Sequence, residues 1–182
     1  TFFSARTPTL SANYHGGAQV ANYPWDNSEL PSGTYAACPD DDIFIYLSQQ
    51  YANYNTDLLN GGFPGGITNG VDWYSLSGGL QDWNYVWGGD MEITLEVSNT
   101  KWPASSQLPT FWSHNRDSMI HYLEQVHTGV RGLVSDAVRG DPVAATVTVV
   151  GRDMPFFTDP DVGDYHRPLL AGTYSLHFEA EG

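Results

Sequence analysis

Two residue types in this sequence could carry chemistry: a histidine beside two glycines, and a carboxylate in the middle of a predicted strand. His15 precedes Gly16 and Gly17, and the glycines permit a sharp turn that leaves the imidazole unobstructed. It is either a metal ligand or a structural histidine. Glu96 shares a strand face with Glu92, and it could act as a general base if that face lines a cleft. The alternative is a face exposed to solvent, and the residue types leave both open.

A second pair, His121 and Glu124, forms an H-x-x-E pattern on a predicted helix. That spacing can place two metal ligands side by side, but a catalytic zinc needs three protein ligands and an open position for water. The pattern also arises by chance, and we expect this helix to pack against a sheet, which argues against metal binding there. The sequence contains neither a phosphate-binding glycine loop nor a G-x-S-x-G nucleophile motif.

The charge of the chain restricts its partners. The 182 residues include 7 Lys and Arg and 21 Asp and Glu, which gives a net charge of −14. Such a surface repels phosphate backbones and attracts cationic ligands, so we expect no nucleic-acid partner. No apolar run approaches the ~20 residues of a membrane span. Cys38 is the single cysteine, which rules out a disulfide within these 182 residues.

Hydrophobic spacing predicts the elements that must position the candidate residues. Residues 9–14 and 91–98 alternate as strands, and residues 18–39 have the composition of a long loop. A helix starts after Pro39, with an apolar face of Phe44, Leu47, Tyr51, Tyr54 and Leu58. Another helix covers about 109–126, and its predicted apolar stripe is Trp112, Met119, Ile120, Leu123 and Val126. Four aromatic residues crowd one segment and indicate core packing: Trp73, Tyr74, Trp83 and Tyr85.

The composition changes near residue 127. Short strands at 130–134, 145–150 and 173–180, separated by Gly and Pro turns, predict a small β-sandwich. About 55 residues are few for such a fold, since immunoglobulin-type sandwiches take ~100. The sandwich is therefore expected to be incomplete within this sequence.

Six segments together resemble one family in order and spacing over essentially the whole chain: residues 11–26, 39–42, 66–74, 77–85, 92–98 and 124–132. They are similar to the M14 zinc metallocarboxypeptidases, closest to the subgroup of carboxypeptidases N, E, M and D. The resemblance implies an α/β fold with two parts. Residues 1–127 would be the C-terminal half of the mixed-sheet catalytic domain, and residues 128–182 a transthyretin-like β-sandwich.

The resemblance also implies roles for individual residues. His15 corresponds to the third zinc ligand, and Glu96 to the general base and acid. Tyr74 corresponds to the mobile tyrosine that closes over the C-terminal residue of the substrate. Asp26 and Gln81 occupy the positions that shape the side-chain pocket, where a carboxylate selects a C-terminal Arg or Lys.

The sequence departs from the family pattern in its ligand set. The family's H-x-x-E, which supplies the first two zinc ligands, lies upstream of the matched region, as do the arginines and asparagine that bind substrate. We therefore expect a Zn²⁺ metallocarboxypeptidase acting on peptides that end in Arg or Lys, with this chain inactive until it is joined to the N-terminal half of the domain. The alternatives are a non-catalytic peptide-binding or scaffold relative and a sandwich-type adhesion module. The subgroup implies an extracellular or periplasmic location.

Overall fold

A four-stranded mixed sheet forms the framework of the first part of the chain in the computed structural model, which describes residues 8–181. Its strands are β1 (Leu10–His15), β2 (Ala18–Tyr23), β3 (Ile67–Asn69) and β4 (Met91–Ser98), in the order β1-β4-β2-β3. β4 pairs in parallel with β1 and antiparallel with β2, and β2 pairs in parallel with β3. β4 is therefore an interior strand, whereas β1 is paired on one side only within residues 8–181.

β2 corrects the prediction of a loop over residues 18–39. It is short, lacks regular alternation and is buried along almost its whole length. A strand that lies between two others and is covered on both faces needs no alternation, so the pattern gave no signal for it. β4 is likewise covered on both faces, because Glu92 and Glu96 on its polar face are buried rather than exposed to solvent.

Among the described residues, five α-helices accompany the sheet: α1 (Asp41–Ala52), α2 (Thr56–Leu59), α3 (Gly70–Trp73), α4 (Leu80–Trp83) and α5 (Leu108–Glu124). α4 continues directly into a π-helical turn, Asn84–Gly88. The predicted apolar face after Pro39 is buried at Phe44, Leu47, Tyr51 and Leu58. The helix breaks after Ala52, however, because Asn55 caps a new helix by accepting hydrogen bonds from two backbone N–H groups. Tyr54 falls in this break and is exposed.

α5 lies where the sequence predicts it, and Met119 of the predicted apolar stripe packs against the core, but three of the five stripe residues are exposed. Trp112, Ile120 and Leu123 are more than half exposed. The buried residues are polar or amphipathic: Asn115, Ser118 and Tyr122. Asn115 Oδ1 accepts hydrogen bonds from Tyr51 (2.6 Å) and Asn55 (2.8 Å), and the Tyr122 hydroxyl donates to the backbone oxygens of Ser11 and Met91. The hydrogen bonds of Asn115 and Tyr122 thus help to select the buried face, together with the packing of Tyr122 in the core.

Beyond residue 127 the chain forms two small antiparallel sheets. β5 (Val130–Leu133) pairs with β8 (Asp164–Arg167), and β6 (Ala145–Val149) lies between β7 (Pro155–Phe157) and β9 (Leu176–Ala180). β7 and β8 were not predicted, because three or four residues beside prolines carry little periodicity. The α/β class is confirmed, as a partial mixed-sheet domain followed by antiparallel sheets. The transthyretin-like assignment and the division at residue 127 stay predictions.

The two parts share one core and one buried charge cluster. Phe156 of β7 packs in the same apolar cluster as Phe44 of α1 and Met91 of β4. Arg167 is almost fully buried, and its Nη2 lies 2.7 and 2.9 Å from the two carboxylate oxygens of Asp40. A buried ion pair of this kind is retained only where further contacts offset its desolvation. The Arg167 guanidinium also stacks over the Phe156 ring, with 4.1 Å between Cζ and the ring centroid.

We predict that Asp40→Asn lowers the free energy of unfolding by about 3–5 kcal/mol, because it leaves the buried Arg167 without an anion. Denaturant unfolding of the purified protein measures this change. The control is Asp117→Asn, which removes an exposed partner of Arg116 and is expected to leave the unfolding midpoint unchanged. Equal midpoints for the two variants would contradict the prediction.

Candidate functional site

The pairing of β1 with β4 brings the two candidate catalytic residues together. The register sets His15 opposite Glu96, and the imidazole Nδ1 lies 2.8 Å from the Glu96 Oε1. These residues are 81 positions apart in the sequence. Glu96 is buried while the His15 side chain is 56% exposed. The pair therefore sits at the boundary between the sheet and solvent, at the end where both parallel strands finish.

A cavity of about 200 Å³ opens beside this pair and is lined by all five candidate residues. His15 and Glu96 lie on the sheet, Asp26 follows β2, Tyr74 follows α3 and Gln81 belongs to α4. The remaining lining residues are Asn13, Asn22, Gly70, Trp73, Leu76, Gly79, Leu80 and Thr94. The fold thus gathers five candidate residues from separate segments of the chain into one cavity.

Asp26 supplies a buried carboxylate to this cavity. Asn22 Nδ2 donates a hydrogen bond of 2.7 Å to Asp26 Oδ1, and the backbone N–H of Asp26 donates to the Asp82 carboxylate at 3.0 Å. Burial raises the pKa of Asp26 to about 6, and the nearby Asp82 charge adds to the shift. A side chain at Gly70 would collide with Asp26 Oδ1. The carboxylate is therefore held tightly, and its charge would be better stabilised by a cation.

Gln81 lies in the same cavity and is almost completely buried. Neither its Nε2 nor its Oε1 has a hydrogen-bond partner among the described residues. A buried amide with no partner costs free energy, which makes it a position where a bound polar group would gain hydrogen bonds. Glu96 Oε2 is likewise buried without a partner.

Tyr74 stands at the rim of the cavity rather than in the core. It is 46% exposed and begins the short segment 74–79 between α3 and α4. Partial burial raises its pKa above the ordinary tyrosine value, and the charges of Glu96 and Asp26 add to the shift. The aromatic segment was predicted to be core, but within it Trp83 is also exposed and only Tyr85 is fully buried.

Sequence reasoning missed Asn22 and Asp82, which fix Asp26. Asn22 fell in the segment predicted as a loop, and Asp82 showed no pattern that separates it from a surface carboxylate. It also missed the polar layer beneath the cavity, where Ser11 Oγ lies 2.5 Å from Asp90 and 3.0 Å from Glu92. Burial raises the pKa of Asp90 to about 7 and also raises that of Glu92. The alternation of β4 did place Glu92 on the same face as Glu96, and this shared face was the one sequence signal for the polar layer.

The H-x-x-E pair of His121 and Glu124 does not contribute to this cavity. His121 stacks on Tyr54, with 3.4 Å between ring centroids, and its Nδ1 lies 3.3 Å from Glu124. Across residues 8–181, no group of three or more His, Cys, Asp and Glu side chains is arranged to hold a metal ion. The described residues thus fit zinc in part: His15 offers one exposed imidazole beside a buried carboxylate, whereas a catalytic site needs three ligands.

Comparison with known proteins points to one family. The profile of the zinc carboxypeptidase family matches residues 1–118. The chain is 42% identical to human carboxypeptidase D over 184 residues, which cover 95% of the chain and 13% of that protein. It is 44% identical to carboxypeptidase SOL1 of Arabidopsis thaliana over 90% of the chain and 34% of the relative. For mouse carboxypeptidase M the identity is 42%, over 100% of the chain and 43% of the relative.

The chain therefore spans less than half the length of these relatives. No helix among residues 8–181 is both long enough and apolar enough to cross a membrane. The match to the family profile extends over most of the chain, and it includes every candidate residue of the cavity. This chain belongs to the zinc carboxypeptidase family.

Proposed function

We propose that the protein containing this chain is a zinc-dependent metallocarboxypeptidase that releases C-terminal Arg or Lys from peptides. One observation carries the proposal: the His15–Glu96 pair stands beside a cavity that holds a buried carboxylate, Asp26, for which residues 8–181 supply no ion-pair partner. A C-terminal basic side chain is the substrate group that such a cavity complements. The net charge of −14 also attracts cationic peptide ends.

Glu96 is the proposed general base and acid. Its Oε2 is buried and has no partner among the described residues, so it can accept a proton from the attacking water and return it to the leaving amine. Zinc, when bound, supplies the acidity of that water and polarises the scissile carbonyl. His15 is the proposed ligand within this chain, and the other ligands are proposed to come from residues outside this sequence.

Asp26 and Gln81 are the proposed specificity residues. The Asp26 carboxylate would accept charge-assisted hydrogen bonds from a guanidinium or ammonium group. The Gln81 amide, which has no hydrogen-bond partner within residues 8–181, has both donor and acceptor atoms available for the same side chain. Tyr74, exposed at the rim, is the proposed group that closes over the bound C-terminal residue.

The rest of the catalytic domain is the proposed partner of this chain. Within the described residues, β1 is paired on one side only, and the outer face of α5 exposes Trp112, Ile120 and Leu123. An open strand edge next to exposed apolar side chains is unstable in water unless something covers it. A segment that covers this surface would lie near His15, at the end of β1, where the missing ligands are needed.

A second candidate is a non-catalytic relative that binds peptides or acts as a scaffold. The incomplete ligand set of the described residues favours it. It predicts binding of peptides with basic ends, no hydrolysis and no dependence on metal.

We further propose an extracellular or periplasmic location, which fractionation of the producing cells tests directly.

Glu96→Gln is expected to lower kcat by about 10²–10⁴-fold on a peptide ending in Arg, because the proton acceptor is lost. Zinc content, measured on the same sample, should not change. Glu124→Gln, on the exposed surface of α5, is the matched control and should retain activity. Full turnover by Glu96→Gln would contradict the assigned role.

His15→Ala should reduce zinc content from about one ion per molecule, because a ligand of the site is removed. Metal analysis after dialysis of the assembled protein measures this loss. His177→Ala provides a control histidine, exposed on β9. If both variants retain zinc equally, His15 is not a ligand.

The pKa of Asp26 predicts a substrate-dependent pH profile. Because burial raises that pKa to about 6, the carboxyl is neutral at lower pH and loses its attraction for a basic side chain. For an Arg-ended peptide, kcat/KM should fall as pH drops through about 6, with no corresponding step for an Ala-ended peptide. Asp26→Asn should remove this step and reduce the preference for Arg by about tenfold or more. Identical profiles for both peptides would contradict the assignment.

A further inference from the structure

We propose that the antiparallel strands beyond residue 127 hold the specificity cavity in shape, with Arg167 and Tyr85 acting as positioning residues for Asp26. The connection runs from Arg167 through Asp40 to Tyr85, and from Tyr85 to the segment after β2 that carries Asp26. This inference rests on the proposed preference for basic C-terminal residues. It gives the second part of the chain a role in substrate selection.

The first link is the buried cluster on Asp40. Arg167, at the end of β8, donates through Nη2 to both oxygens of Asp40, at 2.7 and 2.9 Å. Arg152 adds a hydrogen bond of 2.9 Å to Asp40 and also bonds Asp42 on α1. Both arginines come from the second part of the chain, and both aspartates come from the first. The position of Asp40 is thus set from the second part.

The second link joins Asp40 to Tyr85. The Tyr85 hydroxyl donates a hydrogen bond of 2.8 Å to Asp40 Oδ2, and the tyrosine is fully buried. Its ring contacts Phe44 at 4.9 Å and Trp25 at 5.3 Å between centroids. The hydrogen bond of the hydroxyl and the packing of the ring together hold the Tyr85 side chain in one position. That position therefore depends on where Asp40 lies.

The third link reaches the cavity by two routes. Trp25, which Tyr85 contacts, immediately precedes Asp26. Tyr85 also belongs to the continuous helical segment 80–88, which carries Gln81 and Asp82. Asp82 accepts hydrogen bonds from the backbone N–H groups of Asp26 (3.0 Å) and Asn27 (2.9 Å). A shift of Tyr85 would therefore move the carboxylate and the amide of the cavity together.

The second part of the chain also contacts the far end of this segment. Gly89, with φ of +63°, lies so close to β7 that a Cβ there would be 3.2 Å from the Phe156 Cα and from the Pro155 oxygen. Residues 80–89 are thus held by Asp40 in the middle and by β7 at the end. The first restraint depends on Arg152 and Arg167, which bond Asp40, and the second is β7 itself, so both depend on residues beyond 127.

The test compares Tyr85→Phe with Tyr46→Phe in the full protein. Each substitution removes one hydroxyl, but the Tyr46 hydroxyl bonds Gln125 between α1 and the end of α5, away from the segment 80–88. For Tyr85→Phe we expect KM on an Arg-ended peptide to rise about three- to tenfold. We expect kcat, and KM on an Ala-ended peptide, to match those of Tyr46→Phe. Arg152→Lys changes a partly exposed side chain and should also raise KM on the Arg-ended peptide. It serves as the test variant if Tyr85→Phe does not fold.

A purely structural role predicts a different result. Tyr85→Phe would then lower the melting temperature, yet its KM for the Arg-ended peptide would equal that of Tyr46→Phe, or both peptides would be affected alike. Either outcome overturns this inference while leaving the proposed function intact. If the wild-type protein shows no preference for the Arg-ended peptide, the proposed function fails, and this inference fails with it.

Discussion

The parallel pairing of β1 with β4 is the constraint on which the candidate site depends. Its register sets His15 opposite Glu96, and a slip of one residue would turn one side chain to the other face of the sheet. The register is fixed by burial, because Met91, Ile93 and Leu95 must face the core formed with α1. Tyr122 of α5 reinforces it by donating to backbone oxygens on both strands. Core packing therefore determines the geometry of the pair.

The opposite face of β4 carries the polar residues that core packing would not select. Glu92 and Glu96 are buried there, beside Asp90 and Asp26. Several of their oxygens have no partner within the described residues, and burial raises the pKa values of Asp26, Asp90 and Glu92. Unpaired buried carboxyls lower stability, and Asp26 and Glu96 line the cavity itself, which fits a site that is completed by cations and polar ligand groups.

Sequence patterns predicted the elements whose signal is local. The alternation of β4 and the helical spacing of α1 both correspond to observed elements, and the motif series identified five residues that line one cavity. Patterns failed where burial follows long-range contacts. β2 is covered on both faces and shows no alternation, and α5 buries Asn115 because Tyr51 and Asn55 bond it. The Asp40–Arg167 pair joins residues 127 positions apart in the sequence. The spacing of apolar residues carries no information about contacts between residues so far apart.

The location of the metal tests the central claim most directly. Zinc-loaded crystals of the assembled protein, with diffraction recorded on both sides of the zinc absorption edge, give the metal position without reference to activity. We predict a single anomalous peak about 2.0–2.1 Å from a ring nitrogen of His15, on the side of the cavity where Glu96 lies. A peak bound elsewhere in the molecule, or none at His15 while the protein still hydrolyses peptides, would contradict the account.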